Sequence, residues 1–295
     1  MTLRTSQAPQ PLKGVRILSL ALNLPGPAAL MRCRRMGALC LKLEPPGGDP
    51  MAHYNPAAYV QLHDGVEVLV ADLKTEAGQT VLHRELAQAD VLITSFRPSA
   101  FAKLGIDWER LHRLYPALSQ VAIVGSPGER ADEPGHDLTY LADSGLVPGM
   151  ELPATLYADM SGSLIASEAV LQATLAQRTA EQASPGVFIE VALSEAAAYL
   201  ALPRQWGLTR PEGWVGGAHA GYGVYACKDG RVALAALEPH FAAALCAAAG
   251  VAAADVNTLL APATRQRIAD FLLTQTRHEL DTLSAAKDIP LHTMA

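Results

Sequence analysis

An α/β fold, with a parallel, doubly wound sheet followed by a smaller α+β unit, is what this 295-residue sequence predicts. Two observations carry that expectation. Apolar runs of strand length alternate with helix-like segments through the first half, the order that βαβ units produce. After a stretch rich in Trp, Gly and Pro, the pattern changes to a hairpin and further helices.

The elements follow in order. Residues 15–20 (VRILSL) read as a strand, and 27–36 as a helix with proline at its start. Residues 39–43 form a second strand, closed by the turn Glu44-Pro45-Pro46-Gly47-Gly48-Asp49-Pro50. A strand at 66–70, a helix at 76–88, a strand at 91–94, a helix near 100–115 and a strand at 120–124 continue the alternation. The charged loop 125–135 precedes a long helical pattern at 159–178. Residues 187–192 (VFIEVA) alternate like a strand, and an alanine-rich helix begins at Ser194. The stretch from about 204 to 221, with Trp206 and Trp214, reads as a linker. Beyond it, 223–227 and 231–236 pair around Lys228-Asp229-Gly230, where Asp-Gly is a strong turn signal, and helices run to the end. The expected organisation is a large domain over 1–205, a linker over 206–221 and a small α+β domain over 222–295.

Composition narrows the function. Half of the residues are hydrophobic and only 18% are charged, which is globular rather than disordered. A net charge of -6 argues against a general nucleic-acid or anionic-membrane binder, while leaving room for a local basic pocket. Cys33, Cys40, Cys227 and Cys246 are widely spaced with no CxxC pair, so reduced thiols and a cytoplasmic location are expected, with no metal site. MTLRTSQAPQPLKG lacks the apolar core of a signal peptide, and the longest apolar run, 241–254, is too short for a bilayer. No P-loop, HExxH or GxSxG occurs, and Gly221 and Gly223 precede a strand rather than a helix, against a dinucleotide fingerprint.

Ionisable residues at element ends remain. Asp159 opens the long helix in ADMSGS, where a carboxylate feels the helix dipole and is ordinarily a cap. His136 lies in the turn Pro134-Gly135-His136-Asp137, and Glu238 precedes Pro239 at a helix start. Arg97 and Lys74 follow strand ends, where open α/β sheets collect ligands. Spacing alone leaves the function open.

Taken together, the segments PLKGVRILSL…PGPAA, GALCLKLEPPGGDP, ADLKTEAGQTVLHRELAQADVLITSFRPSAFAKLGID, PGHDLTYLADSGLV, ADMSGSLIASEAVLQATLAQRT and YACKDGRVALAALEPHF resemble, in the same order, the family III CoA-transferase superfamily, which includes the α-methylacyl-CoA racemases. The resemblance implies a Rossmann-like large domain and a small domain, assembled as an interlaced homodimer. It implies coenzyme A, as an acyl-CoA substrate, and no metal or redox cofactor. Asp159 matches the superfamily's catalytic carboxylate, His136 the racemases' second proton carrier, and Glu238 the carboxylate that holds that histidine. For the CoA moiety it implicates Lys42, Ala71, Asp72, Leu73, Lys74 and Arg97, with Asp137 and Tyr140 near the pantetheine and thioester. Cations at Lys42, Lys74 and Arg97 suit phosphates.

GHDLTY and ALEPHF are racemase-like, so epimerisation of a 2-methyl-branched acyl-CoA by Asp159 and His136 is the leading expectation. An α-proton beside a thioester is weakly acidic, and a carboxylate and an imidazole with pKa values moved toward neutrality would serve both faces. Backbone N–H groups at the Asp159 helix start, in the small-residue segment with Ser161 and Gly162, are candidates for the enolate oxygen. The alternatives are a CoA-transferase using Asp159 as nucleophile and a non-catalytic acyl-CoA-binding or partner subunit. Two departures from the family bear on these. His63-Asp64-Gly65-Val66-Glu67 places acids where basic residues are usual, which weakens attraction for a polyanion. Family members also continue beyond the segment matched by DIPLHTMA, so a looser dimer is expected.

Overall fold

The computed structural model of the protein describes residues 9–179, 184–252 and 254–295. Two compact units divide it, Met1–Ala201 and Leu202–Ala295.

The first unit carries strands β1 (Arg16–Ser19), β2 (Leu39–Glu44), β3 (Glu67–Val70), β4 (Val91–Thr94), β5 (Ser119–Val124) and β6 (Phe188–Ala192). Its helices are α1 (Pro25–Arg35), α2 (Pro50–Tyr54), α3 (Pro56–Leu62), α4 (Glu76–Leu86), α5 (Pro98–Leu104), α6 (Trp108–Leu114), α7 (Asp137–Asp143), α8 (Tyr157–Thr179) and α9 (Leu193–Leu200). All strand pairings are parallel, in the order β3-β2-β1-β4-β5-β6, so the Rossmann-like expectation holds. Side-chain alternation shows why β4 is apolar at consecutive positions. Val91 and Ile93 enter the core with Leu30, Ala166 and Val170 of α1 and α8. Leu92 enters the opposite core with Leu82, Phe101 and Leu111 of α4, α5 and α6. A strand covered on both faces has no position for water.

Several boundaries differ from expectation. The single helix near 100–115 is two, because Gly105 adopts a left-handed φ of 68° and Asp107 caps α6 by accepting from the Arg110 N–H. Residues 50–62 form α2 and α3, each opened by a short polar cap, Asp49 and Asn55, and a proline.

The second unit begins with α10 (Leu202–Gln205), a segment assigned to the large domain on sequence. Part of the expected linker is ordered: Arg265 donates to the carbonyls of Gly217 and His219, fixing the turn at Trp214–Ala218. The predicted hairpin is present as β7 (Tyr222–Cys227) and β8 (Gly230–Ala235). Helices α11 (Pro239–Ala248), α12 (Val256–Leu260), α13 (Pro262–Thr274) and α14 (Arg277–Lys287) follow. The chain does not end in a helix. Asp288 turns it with φ 53°, Ile289 is buried, and β9 (Leu291–Met294) pairs antiparallel with β8. Among the described residues, no helix is long and apolar enough to cross a membrane.

Candidate functional site

The strand order reverses at β1, whose neighbours β2 and β4 are reached by crossovers in opposite directions, and ligands of such sheets bind outside the strand ends there. The bend at this switch point, residues 20–24, is held by the Leu20 N–H donating to the Ile93 carbonyl (2.9 Å) and the Leu22 N–H donating to Ser95 Oγ (3.1 Å). Helix α1 starts close behind it. A Cβ at Gly26 would lie 2.1 Å from the Ala21 Cβ, so only glycine fits.

Asp159 lies in the first turn of α8, which opens two residues earlier than expected, at Tyr157. Its backbone N–H donates to Asp137 Oδ1 at 3.0 Å. Asp137 is itself buried in the first turn of α7, so one carboxylate ties together the starts of two helices. Asp159 is half-buried, and burial pushes its carboxyl up to about 6. The charge of Asp137 adds to the rise, and the nearby His136 opposes it.

His136 precedes α7 and is exposed. The Thr139 hydroxyl accepts from its N–H (3.1 Å) and donates to its carbonyl (2.7 Å), which fixes the turn through the backbone. Both of these bonds engage the backbone of His136. Tyr140, on the same helix, is buried. Added Cβ atoms at Gly125 and Gly135 would fall 2.3 and 2.5 Å from its hydroxyl, so both glycines make room for it. Burial raises the Tyr140 phenol, Asp159 raises it further, and Arg97 pulls it down. Tyr54 at the end of α2, overlooked in the sequence, also has its phenol raised, by desolvation and then by Asp49 and Asp159. The candidate centre thus comprises Asp159, Asp137, His136 and Tyr140, with Arg97 and Tyr54 within electrostatic reach.

Two expectations do not hold in the structure. Ser161 and Gly162 are the fifth and sixth residues of α8, and an α-helix leaves only its first four N–H groups without intrahelical acceptors. Gly162 instead makes room for Leu193, whose Cδ2 would meet an added Cβ at 2.3 Å. Lys42, expected on phosphates, is completely buried. Its Nζ is hydrogen-bonded to Asp49 Oδ2 (2.5 Å) and His63 Nε2 (2.9 Å) and ion-paired with Glu44 Oε1 (3.0 Å), which leaves it no reach to a solvent phosphate. Glu44, Asp49 and His63 converge like metal ligands, and the lysine ammonium is what they converge on. His63, in the segment that departs from the family pattern, therefore faces inward, while Asp64 and Glu67 are exposed.

The remaining CoA candidates cluster. Ala71, Asp72, Leu73 and Lys74 line a cavity of about 180 Å³, walled by Leu20, Leu43, Phe96, Phe101 and Leu104. The turn is shaped locally: Asp72 Oδ1 accepts from the Lys74 N–H at 3.0 Å, and a Cβ at Gly78 would lie 1.9 Å from the Asp72 carbonyl oxygen. The cavity is apolar where a flat ring could sit, and the exposed Lys74 stands at its edge. Phe96 and Phe101 flank Arg97 in the sequence, and that aromatic spacing was the available signal for the wall. Glu238 caps no N–H of α11 with its side chain and is exposed in the second unit.

A sequence model described as CoA-transferase family III matches residues 12–295. The cinnamoyl-CoA:phenyllactate CoA-transferase of Clostridium sporogenes is 34% identical over 149 residues, covering 46% of this chain and 36% of that protein. The α-methylacyl-CoA racemase of Mus musculus is 28% identical over 289 residues, 91% of this chain and 73% of that protein. Matched stretches span between 36% and 51% of the length of four curated transferase relatives. The crystal structure of a hypothetical protein (Rv3272) from Mycobacterium tuberculosis shares the fold, with a TM-score of 0.81 at 23% identity over 97% of this chain and 84% of that one.

Proposed function

We propose that this chain, which belongs to CoA-transferase family III, processes acyl-CoA thioesters and epimerises the α-carbon of a branched acyl group with Asp159 and His136 as paired proton carriers. The observation that carries the reading is a carboxyl moved to about 6 beside a histidine whose turn is fixed through its backbone. At neutral pH such a carboxylate is mostly ionised, yet it is basic enough to take a proton. One group removes the α-proton, the C–H electron pair enters the enolate, and the other returns a proton to the opposite face. No electrons are gained or lost overall. Tyr140, close to Asp159, is suited to orient the thioester oxygen. The apolar cavity at Ala71–Lys74 fits an adenine, with Lys74 and Arg97 available to phosphates. The reading includes a homodimer in the cytoplasm, consistent with four free cysteines.

The second reading, CoA transfer through Asp159, draws on the 34% identity to a transferase. The carboxylate would attack the thioester carbonyl, expelling CoA thiolate and leaving an acyl anhydride on Asp159. Incubating the protein with a 2-methylacyl-CoA in D₂O, with no acceptor acid, separates the two. Deuterium at the α-carbon is expected. Its absence, with a hydroxylamine-trappable acyl group on Asp159, replaces epimerisation with transfer, and failure of calorimetry to detect any CoA ester removes both.

A further inference from the structure

The buried cluster around Lys42 makes no contact that the chemistry above requires, yet it is wired to the switch-point bend. Asp49 is the junction. Its two oxygens accept the Asn23 N–H, each at 3.1 Å, and Oδ1 also accepts the Met51 N–H at 2.9 Å, opening α2. Asn23 takes a left-handed φ of 63°, a conformation asparagine tolerates better than most residues with a Cβ, and the carboxylate fixes it there. Asp49 is in turn held by Lys42 Nζ and by its own N–H donating to Glu44 Oε2 (3.2 Å).

The third arm is His63. Lys42 has only hydrogens to offer, so Nε2 of His63 accepts, and Nδ1 carries the ring proton donated to the Tyr59 carbonyl at 2.7 Å. We infer that Lys42 and Asp49 are positioning residues that hold the Asn23 bend at the switch point, and that His63 is an acid-labile arm of the latch, able to hold Lys42 only while its imidazole is neutral.

Protonating His63 would aim a second N–H at the ammonium, with two cations 2.9 Å apart. The groups facing the imidazole are Lys42 and Glu44 from β2, Asp49 from the turn and Tyr59 from α3, while Arg35 and Asp64 line the surface pocket beside it. Burial and Lys42 keep the ring neutral below its usual range, opposed by the Tyr59 carbonyl and the two carboxylates. Within the fold, the latch is therefore closed at neutral pH and opens only in acid beyond the ordinary histidine range.

The test is hydrogen–deuterium exchange of the intact protein, following a peptide spanning 20–30 against one from β4, at pH 7.5 and pH 5.0. After correction for the intrinsic rate, the 20–30 peptide is expected to exchange about tenfold faster in acid while β4 stays protected. His63→Gln, which can accept from Lys42 and donate to Tyr59 without titrating, is expected to abolish that acid response. Lys42→Arg, which keeps the charge with altered geometry, is expected to speed exchange of 20–30 at both pH values. A pH-independent 20–30 peptide, an acid response retained in His63→Gln, or equal loss of protection in β4 would overturn the inference. None of these readouts depends on acyl-CoA, so the latch and the proposed function fail separately.

Discussion

Two groups of ionisable side chains lie near the carboxyl ends of the same sheet, and they are built on opposite principles. Around Lys42 the ammonium is hydrogen-bonded to Asp49 and His63 and ion-paired with Glu44, and the two carboxylates are bonded in turn to backbone N–H groups. Around Asp159 two carboxylates share a neighbourhood, one raised to about 6, and the adjacent His136 is anchored through its backbone. Saturation makes a scaffold, because no member can change charge or move without stranding the others. Incomplete satisfaction leaves groups free to exchange protons, as a reactive centre must.

The contrast breaks most visibly at Lys42. Lys42→Met removes the cation from between two buried carboxylates, and loss of one side of a buried ion pair costs about 3–5 kcal/mol. Urea denaturation at neutral pH should show that loss. Adding Asp49→Asn should recover part of it, since the stranded charge goes with the partner, and the double-mutant cycle should be strongly non-additive. Additive losses would mean that the cluster is not one unit.

At Asp159 the same operation should have the opposite sign. A carboxyl raised in the fold binds its proton more readily folded than unfolded. The folded state is therefore penalised above about pH 6, and the penalty disappears as pH falls toward the ordinary value of 3.8. Asp159→Asn should stabilise the protein by about 1–2 kcal/mol at pH 8, after allowing for solvent screening at a half-buried site. It should give no gain near pH 3.8, and it should abolish turnover. Thermal melts across that range check the sign.

This division was only half legible in the sequence. Val91-Leu92-Ile93 announces a strand with no solvent face, so the parallel sheet could be read from local pattern. Leu291–Met294 could not, because its strand identity comes from the free edge of β8 rather than from its own four residues. Asp159 was visible as a carboxylate at a helix start, a position most often occupied by a cap, and only the family resemblance lifted it above that. Lys42 was placed on phosphates by the family resemblance alone, and the fold overrides it: a parallel sheet covered on both faces leaves the side chain between Leu41 and Leu43 no route to solvent. The acids that follow, Glu44 and Asp49, were the signal that its partners are internal. Tyr54 left no local signal, since α2 brings it toward Asp159 only through the Asp49 cap.

The smallest perturbation discriminates most finely. Thr139→Val keeps shape and removes the hydroxyl that both accepts from and donates to the His136 backbone, a loss of about 1 kcal/mol on the scale of helix-capping side chains. The imidazole would then be carried on a looser turn while Asp159 keeps its Asp137 anchor. If His136 is one of two proton carriers, displacement by a fraction of an ångström should lower turnover about tenfold with little change in KM, because the CoA moiety that dominates binding is held elsewhere. If Asp159 works alone as a nucleophile, turnover should match the parent. Steady-state kinetics on one acyl-CoA decides between them, because the substitution loosens only one of the two partners.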